Sequence, residues 1–415
     1  MANNSTSISW RRNLAAMSLA ELLAIAGFGV AVPFLPLYVE ELGVQGERAI
    51  SIWAGLVFSA HAIAMAICGP IWGALSDRYG RKLMVERAMF GGAVVLALTG
   101  CAQNMWQFLV LRALWGGLTG TISAATTLVA ASAPRERVGY ALGILQVAIY
   151  IGISTGPLLG GFVADTFGYR TTFWVTSGLL FLGGLIVLIF VKEKFEPVAT
   201  STAGEDATDK EHKSLHRRIW QRLAPLLGSS ALLAVMGLDL LSRTGTRMMV
   251  PVLPLFVRDI APTGARVASI TGLISGVSGA CGAIGALGFG RLGDRTGYRR
   301  ILIACAAAVS ALYVPQFFAG NPTVLLFLQA VTGLAMGGIL ASITATLARL
   351  SPEGQEGIVY GIESSVLAVA NGGGPMLGSM LMAWQGSRAP FLAAAFIFAV
   401  AGVAAARLMP DRSQA

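Results

Sequence analysis

Twelve stretches of this chain are each long and apolar enough to cross a lipid bilayer, and no other feature constrains its fold as strongly. A bilayer-crossing helix needs about 20 mostly apolar residues. The stretches cover approximately 14–38, 50–73, 84–102, 106–131, 139–164, 171–191, 224–257, 267–289, 300–319, 323–348, 357–384 and 389–407. Backbone polar groups inside lipid must be satisfied within the protein, so segments of this length read as helices. Composition agrees. Hydrophobic residues make up 55% and charged residues 12%, and mean hydropathy is +0.69. That leaves too little charge to coat a soluble globule, which excludes an ordinary soluble enzyme and a disordered chain. The first stretch is too long for a cleaved signal and lacks a small-residue cleavage site. The expected fold class is an all-α membrane protein of twelve transmembrane helices.

An even number of spans puts both termini on one side. With both termini cytoplasmic, 22 of the 30 Lys+Arg fall on cytoplasmic segments and 5 on external loops. Acids divide 13 to 5 in the same order, so the whole net charge of +9 is cytoplasmic. Lys and Arg enriched on cytoplasmic loops set orientation. The excess charge thus reflects topology and gives no reason to expect nucleic acid. The expected location is the inner (plasma) membrane, multi-pass. The longest polar stretch, 192–222, reads as a solvated cytoplasmic loop between bundles at 1–191 and 223–415.

The two halves repeat at an offset of 217 to 218 residues. "VPFLPLYVEELG" from Val32 matches "VPVLPLFVRDIA" from Val250. "GALSDRYGRK" from Gly73 matches "GRLGDRTGYRR" from Gly290, and "GPLLGG" from Gly156 matches "GPMLGS" from Gly374. The chain therefore reads as two pseudo-symmetric six-helix bundles, with a substrate site between them near the midplane.

Three motifs carry a resemblance over nearly the whole chain. They are "GALSDRYGRK" (Gly73 to Lys82), "RALWGGLTG" (Arg112 to Gly120) and "GISTGPLLGG" (Gly152 to Gly161). Together they resemble the major facilitator superfamily, and within it the twelve-span drug:proton antiporters. Trp115 stands where that family usually has a polar residue. The resemblance implies alternating access and a monomer. It implies that Gly73, Asp77, Arg78, Gly80, Arg81 and Lys82 form a latch for the outward-open state. It also implies that Gly156, Pro157, Gly160 and Gly161 bend span 5 against span 8 and block leak. The plainer readings are a positive-inside turn with a local ion pair, and generic close packing of small residues. Asp294 and Arg295, in the second-half copy of the turn, read as structural.

Charged residues inside spans are expensive and mark function by default. Glu21 and Asp239 are embedded acids at the repeat offset of 218. An acid in an apolar helix can exchange a proton near neutral pH, as a proton-coupled carrier requires. Asp239, Arg243 and Arg247 follow one another at four-residue steps on one helix face, so Asp239 is expected to pair with Arg243. Glu21 is the favoured proton site, with a static bridge to Arg112 as its plain alternative. Arg112, Asp239 and Glu363 are further coupling candidates. Gln146, Tyr150, Arg243, Arg247 and Asn371 are candidates for contacting substrate, with Met236 and Met248 as flexible lining. His61 reads as a packed polar residue. Tyr38, Trp53, Trp72 and Trp106 read as interfacial anchors.

Gly288, Gly290 and Gly293 spell a dinucleotide fingerprint by letter but lack the strand it requires. No Walker sequence is present, and the four cysteines have neither metal nor disulfide spacing. No cofactor, metal or catalytic residue is expected, and the chain is not read as an enzyme. The expected function is proton-coupled export of amphipathic drugs or small molecules. The alternative is a carrier for a specific polar or anionic solute, such as a sugar, metabolite or phosphonate, which the Arg243/Arg247 face supports.

Overall fold

The computed structural model describes residues 10–134, 137–193, 229–351 and 356–409. All elements among them are helical. Eleven helices are long and apolar enough to cross a membrane: Trp10–Glu41, Glu47–Gly73, Arg81–Gly100, Met105–Ser132, Val138–Phe167, Tyr169–Phe190, Val267–Thr296, Tyr298–Phe317, Pro322–Leu350, Gly361–Gln385 and Ala389–Leu408. The first six are spans 1 to 6 and the last five are spans 8 to 12. Span 7 is Ser230–Ile260, a 31-residue helix whose middle carries Asp239, Arg243 and Arg247. The helix that begins as span 2 continues to Tyr79, and that of span 11 begins at Glu356. Of the expected 192–222 loop, only Lys192 and Glu193 lie within the described residues.

The repeat in sequence is a repeat in backbone geometry. Gly46 and Gly264, Gly80 and Gly297, and Gly168 and Gly386 all have positive φ, between 81° and 98°. Each pair closes equivalent turns at which L side chains would be strained. Helix contacts repeat in the same way. A methyl group on Gly160 would collide with the carbonyl of Val30, and one on Gly378 with that of Met248. Gly116 lies on the carbonyl of His61 just as Gly333 lies on that of Ser278. Small residues thus let spans 1 and 5, 7 and 11, 2 and 4, and 8 and 10 approach backbone to backbone.

Two breaks depart from the symmetry. Span 1 tightens into a 3-10 turn at Val32–Phe34, beside Pro33 and Pro36, whereas span 7 runs on through Pro251 and Pro254. Span 4 is interrupted at Thr119 and Gly120, where Gly120 has φ +119°, whereas span 10 is continuous.

The halves meet through spans 5 and 8 and through spans 2 and 11, at the ends opposite the chain termini. Gly161 abuts the carbonyl of Ala268, and Gly272 that of Pro157. Ser59 Oγ donates to the Gly372 carbonyl at 2.7 Å. The Asp165 carboxylate at the end of span 5 accepts from the backbone N–H groups of Ala268 and Ser269, at 3.2 and 2.6 Å, and so caps span 8. Arg258 reaches Glu40 at 2.7 Å and Glu47 at 3.8 Å in the other half. At the end that carries the termini the same helices stand apart. Gly69, Gly73, Gly139, Gly143, Gly288 and Gly361 have open space where a side chain would begin. Among the described residues, the conformation is therefore closed on one side and open on the other. Large apolar side chains such as Ile67, Val94, Phe327 and Phe396 stand exposed on helices of this length, a surface suited to lipid.

Candidate functional site

Two clusters of charged side chains lie inside the helical body, one in each half. In the first half, Glu21 of span 1 is 0% exposed. Thr121, immediately after the break in span 4, faces its carboxyl group. Neither carboxyl oxygen is in hydrogen-bonding geometry with any described group. Arg112 of span 4 is 2% exposed, and its Nε and Nη1 likewise have no acceptor. The bridge between Glu21 and Arg112 that the sequence allows is not formed. Arg112 instead lies over aromatic rings, its guanidinium carbon 4.5 Å from the Trp115 centroid and 5.9 Å from that of Phe58. His61 and Phe28 pack on the same indole at 4.7 and 5.1 Å. This gives Trp115 its physical role at the position where a polar residue is usual. A desolvated cation–π contact contributes about 2 kcal/mol. Burying a lone ion costs several times that. The aromatic cage therefore offsets only part of the desolvation of Arg112.

The second half has a compensated cluster. Arg243 Nε donates to both carboxylate oxygens of Asp239 at 2.8 Å, as the four-residue spacing predicts. Its Nη2 donates to Glu363 Oε1 of span 11, also at 2.8 Å. The contact with Glu363 has no signal in the sequence, because the position has no acidic counterpart in the first half. Arg247, one turn further along span 7, has no carboxylate partner among the described residues. It is exposed, and Gly374 of span 11 makes room for it: a methyl group there would come 2.8 Å from Arg247 Cβ.

The other expected substrate residues make no contact of this kind among the described residues. Gln146 is exposed, and Tyr150 and Asn371 are half-buried. No hydrogen bond joins these three to Arg243 or Arg247 among the described residues. Met236 and Met248 do not line a cavity: both are buried, with Met248 carrying the carbonyl that Gly378 packs on. Tyr38 is no interfacial anchor either. It is buried against Phe108 and Phe173, and its hydroxyl donates to the Thr99 carbonyl. Trp106 is exposed and stacks edge-on against Trp53, whereas Trp72 donates to the Gly117 carbonyl at 2.6 Å under the Arg87 guanidinium.

In the Gly73–Lys82 motif, Gly80 makes the turn with φ +96°. The side chain of Asp77 lies outside the described residues. The carboxylate that caps span 3 is Glu193, which accepts from the backbone N–H groups of Arg81 and Lys82 at 3.1 and 2.8 Å. The sequence reading did not single out Glu193 or Asp165. Both act across more than 100 residues of chain, and neither falls in a repeated motif. Lys82 forms an ion pair with Glu86, and Arg78 lies over the Tyr79 ring. In the second-half copy, Asp294 accepts from Tyr298 Oη and approaches Arg349. Gly156, Gly160 and the Pro157 ring pack on span 1, whereas the Pro157 carbonyl and Gly161 face span 8, so the span-5 motif serves both interfaces.

The comparisons agree with this architecture. The family model described as Major Facilitator Superfamily matches residues 17–242 and again 235–415, once per half. Among curated proteins, "Multidrug resistance protein MdtG" of Enterobacter lignolyticus (strain SCF1) is 38% identical over 96% of this chain and 92% of its own. The protein of the same name from Klebsiella pneumoniae (strain 342) is 38% identical over 95% and 93%. Among solved structures, a D-xylose-proton symporter superposes with TM-score 0.74 at 16% identity, over 97% of this chain and 98% of its own. A bacterial homolog of the human lysosomal transporter Spinster, inward-facing and occupied, gives 0.76 at 14%, over 95% and 96%. The chain belongs to the major facilitator superfamily and is a multi-span membrane transporter.

Proposed function

We propose that this transporter exports amphipathic drugs in exchange for protons, by alternating access, as a monomer in the inner membrane with both termini cytoplasmic. The name shared by its relatives supports the substrate class. The excess of Lys and Arg on the terminal side supports the orientation. The conformation, open on that side and closed on the other, is one of the two that alternating access needs.

Glu21 carries the proton coupling in this reading. Its carboxyl group is buried with no cation beside it and only the Thr121 hydroxyl facing it among the described residues. An ionised carboxylate there has only the Thr121 hydroxyl, and no cation, to offset its desolvation. A proton, or a cationic drug, removes that penalty, and the two compete for one place. Asp239 and Glu363 differ, because Arg243 compensates both. The test is drug-evoked proton movement in inverted vesicles, wild type against Glu21→Gln. Exchange in wild type, with binding but no coupling in the variant, supports the assignment. Normal coupling in the variant overturns it.

A second reading rests on Arg247, a cation inside the second half without a carboxylate partner. It would suit an anionic substrate group. If anionic solutes are moved in preference to cationic and neutral drugs, and Arg247→Gln abolishes that preference, this reading replaces the first.

A further inference from the structure

A cavity of about 650 Å³ opens between the first turns of spans 1 and 5, at the end that carries the termini. It lies within one half, and the transport reading makes no use of it. Span 1 contributes Trp10, Arg11 and Leu14; Arg137, the cap residue of span 5, contributes together with Tyr140 and Ile144. Helical spacing orders these residues by depth. Leu14 and Ile144 each lie four residues beyond Trp10 and Tyr140, about 6 Å further along the helix. The cavity therefore grades from a charged, aromatic rim to an apolar floor within one turn.

The rim holds two cations with no counterion among the described residues. The guanidinium carbons of Arg11 and Arg137 lie 5.6 and 5.9 Å from the centroid of the Trp10 ring. Among the described residues, no acidic side chain lines the cavity. Neither arginine forms an ion pair among the described residues, whereas Arg170 and Arg258 at the opposite end are paired to Glu41 and Glu40. Two like charges sharing one indole call for an anion between them. Trp and Tyr at a span end sit at headgroup depth. Basic recesses between helices on the cytoplasmic side suit anionic headgroups.

We propose that this cavity binds the phosphate headgroup of an anionic membrane lipid, held by Arg11 and Arg137, with its acyl chain along Leu14 and Ile144. The apolar floor favours a lipid over a free anion, which would leave that surface in water.

The experiment measures lipids retained by the purified full chain in native mass spectrometry, titrated with phosphatidylglycerol or phosphatidylcholine. Wild type is expected to retain phosphatidylglycerol in preference. Arg11→Gln and Arg137→Gln should each weaken that preference about fivefold. Arg291→Gln, on span 8, should leave it unchanged. Equal retention of both lipids by wild type, or an unchanged preference when Arg11→Gln and Arg137→Gln are combined, overturns the proposal. So does displacement of phosphatidylglycerol by inorganic phosphate, which would make this a soluble-anion site. Should the arginine variants fail to fold, brominated lipids provide a second measurement. Brominated phosphatidylglycerol should quench wild-type fluorescence more than brominated phosphatidylcholine, and Trp10→Phe should remove the difference. Equal quenching by the two lipids contradicts the site.

Discussion

Arg243 of span 7 holds Glu363 of span 11 at 2.8 Å while binding Asp239 on its own helix through Nε. One guanidinium thus fixes two carboxylates and ties two spans of the second half. Removing one partner of a buried pair costs about 3–5 kcal/mol, because the other charge stays buried. Arg243→Gln strands two acids, whereas Glu363→Gln leaves the Asp239 pair intact. Thermal unfolding in detergent should therefore rank wild type above Glu363→Gln and Glu363→Gln above Arg243→Gln. Equal stability of the two variants would show that Asp239 does not depend on Arg243.

Asp165 caps the start of span 8 from the other half, so it stabilises closure on the side away from the termini. Losing a capping side chain costs about 1–2 kcal/mol. Asp165→Ala should shift the population toward the opposite conformation by about five- to thirtyfold. Spin-label distances between the terminal ends of spans 5 and 8 would report the shift as a growing short-distance fraction. An unchanged distribution would mean that Asp165 caps a helix without biasing the equilibrium.

Gly143 and Gly361 occupy equivalent places, 218 residues apart, and both face open space. Alternating access requires a conformation closed on the terminal side, in which these helices should approach. Gly143→Leu and Gly361→Leu should fold and bind drug like wild type but transport at least tenfold more slowly. Wild-type transport rates would place the closing contact elsewhere.

Trp115 contacts Arg112, His61 and Phe28 at once. Trp115→Leu removes a cation–π contact of about 2 kcal/mol from a buried charge, together with packing area. Trp115→Phe keeps part of both. Unfolding temperatures should fall in the order wild type, Trp115→Phe, Trp115→Leu. If Trp115→Leu is as stable as wild type, the ring does not stabilise the cation.

The span count, the repeat and the pairing of Asp239 with Arg243 were legible in the sequence because each depends on local hydropathy, motif spacing or one helix face. Glu363 was visible as an embedded acid, but its partner was not, since contacts between spans 7 and 11 follow no sequence periodicity. The interruption of span 4 escaped notice for a related reason. Gly120 and its counterpart Gly337 are the same residue type, yet only Gly120 takes positive φ. Gly337 is held in helix against the backbone of Gly282 and Ala286. Met248 and Tyr38 misled because amphipathic side chains near span centres and ends serve core packing as readily as cavities and interfaces.

The most direct measurement of the coupling claim is proton release when drug binds to the purified transporter in weakly buffered detergent, followed with a pH indicator. Wild type should release protons on binding a cationic drug, with affinity rising as pH rises. Glu21→Gln should bind with no release and with affinity independent of pH. Undiminished proton release from Glu21→Gln would contradict the account and place the exchanging proton on another acid.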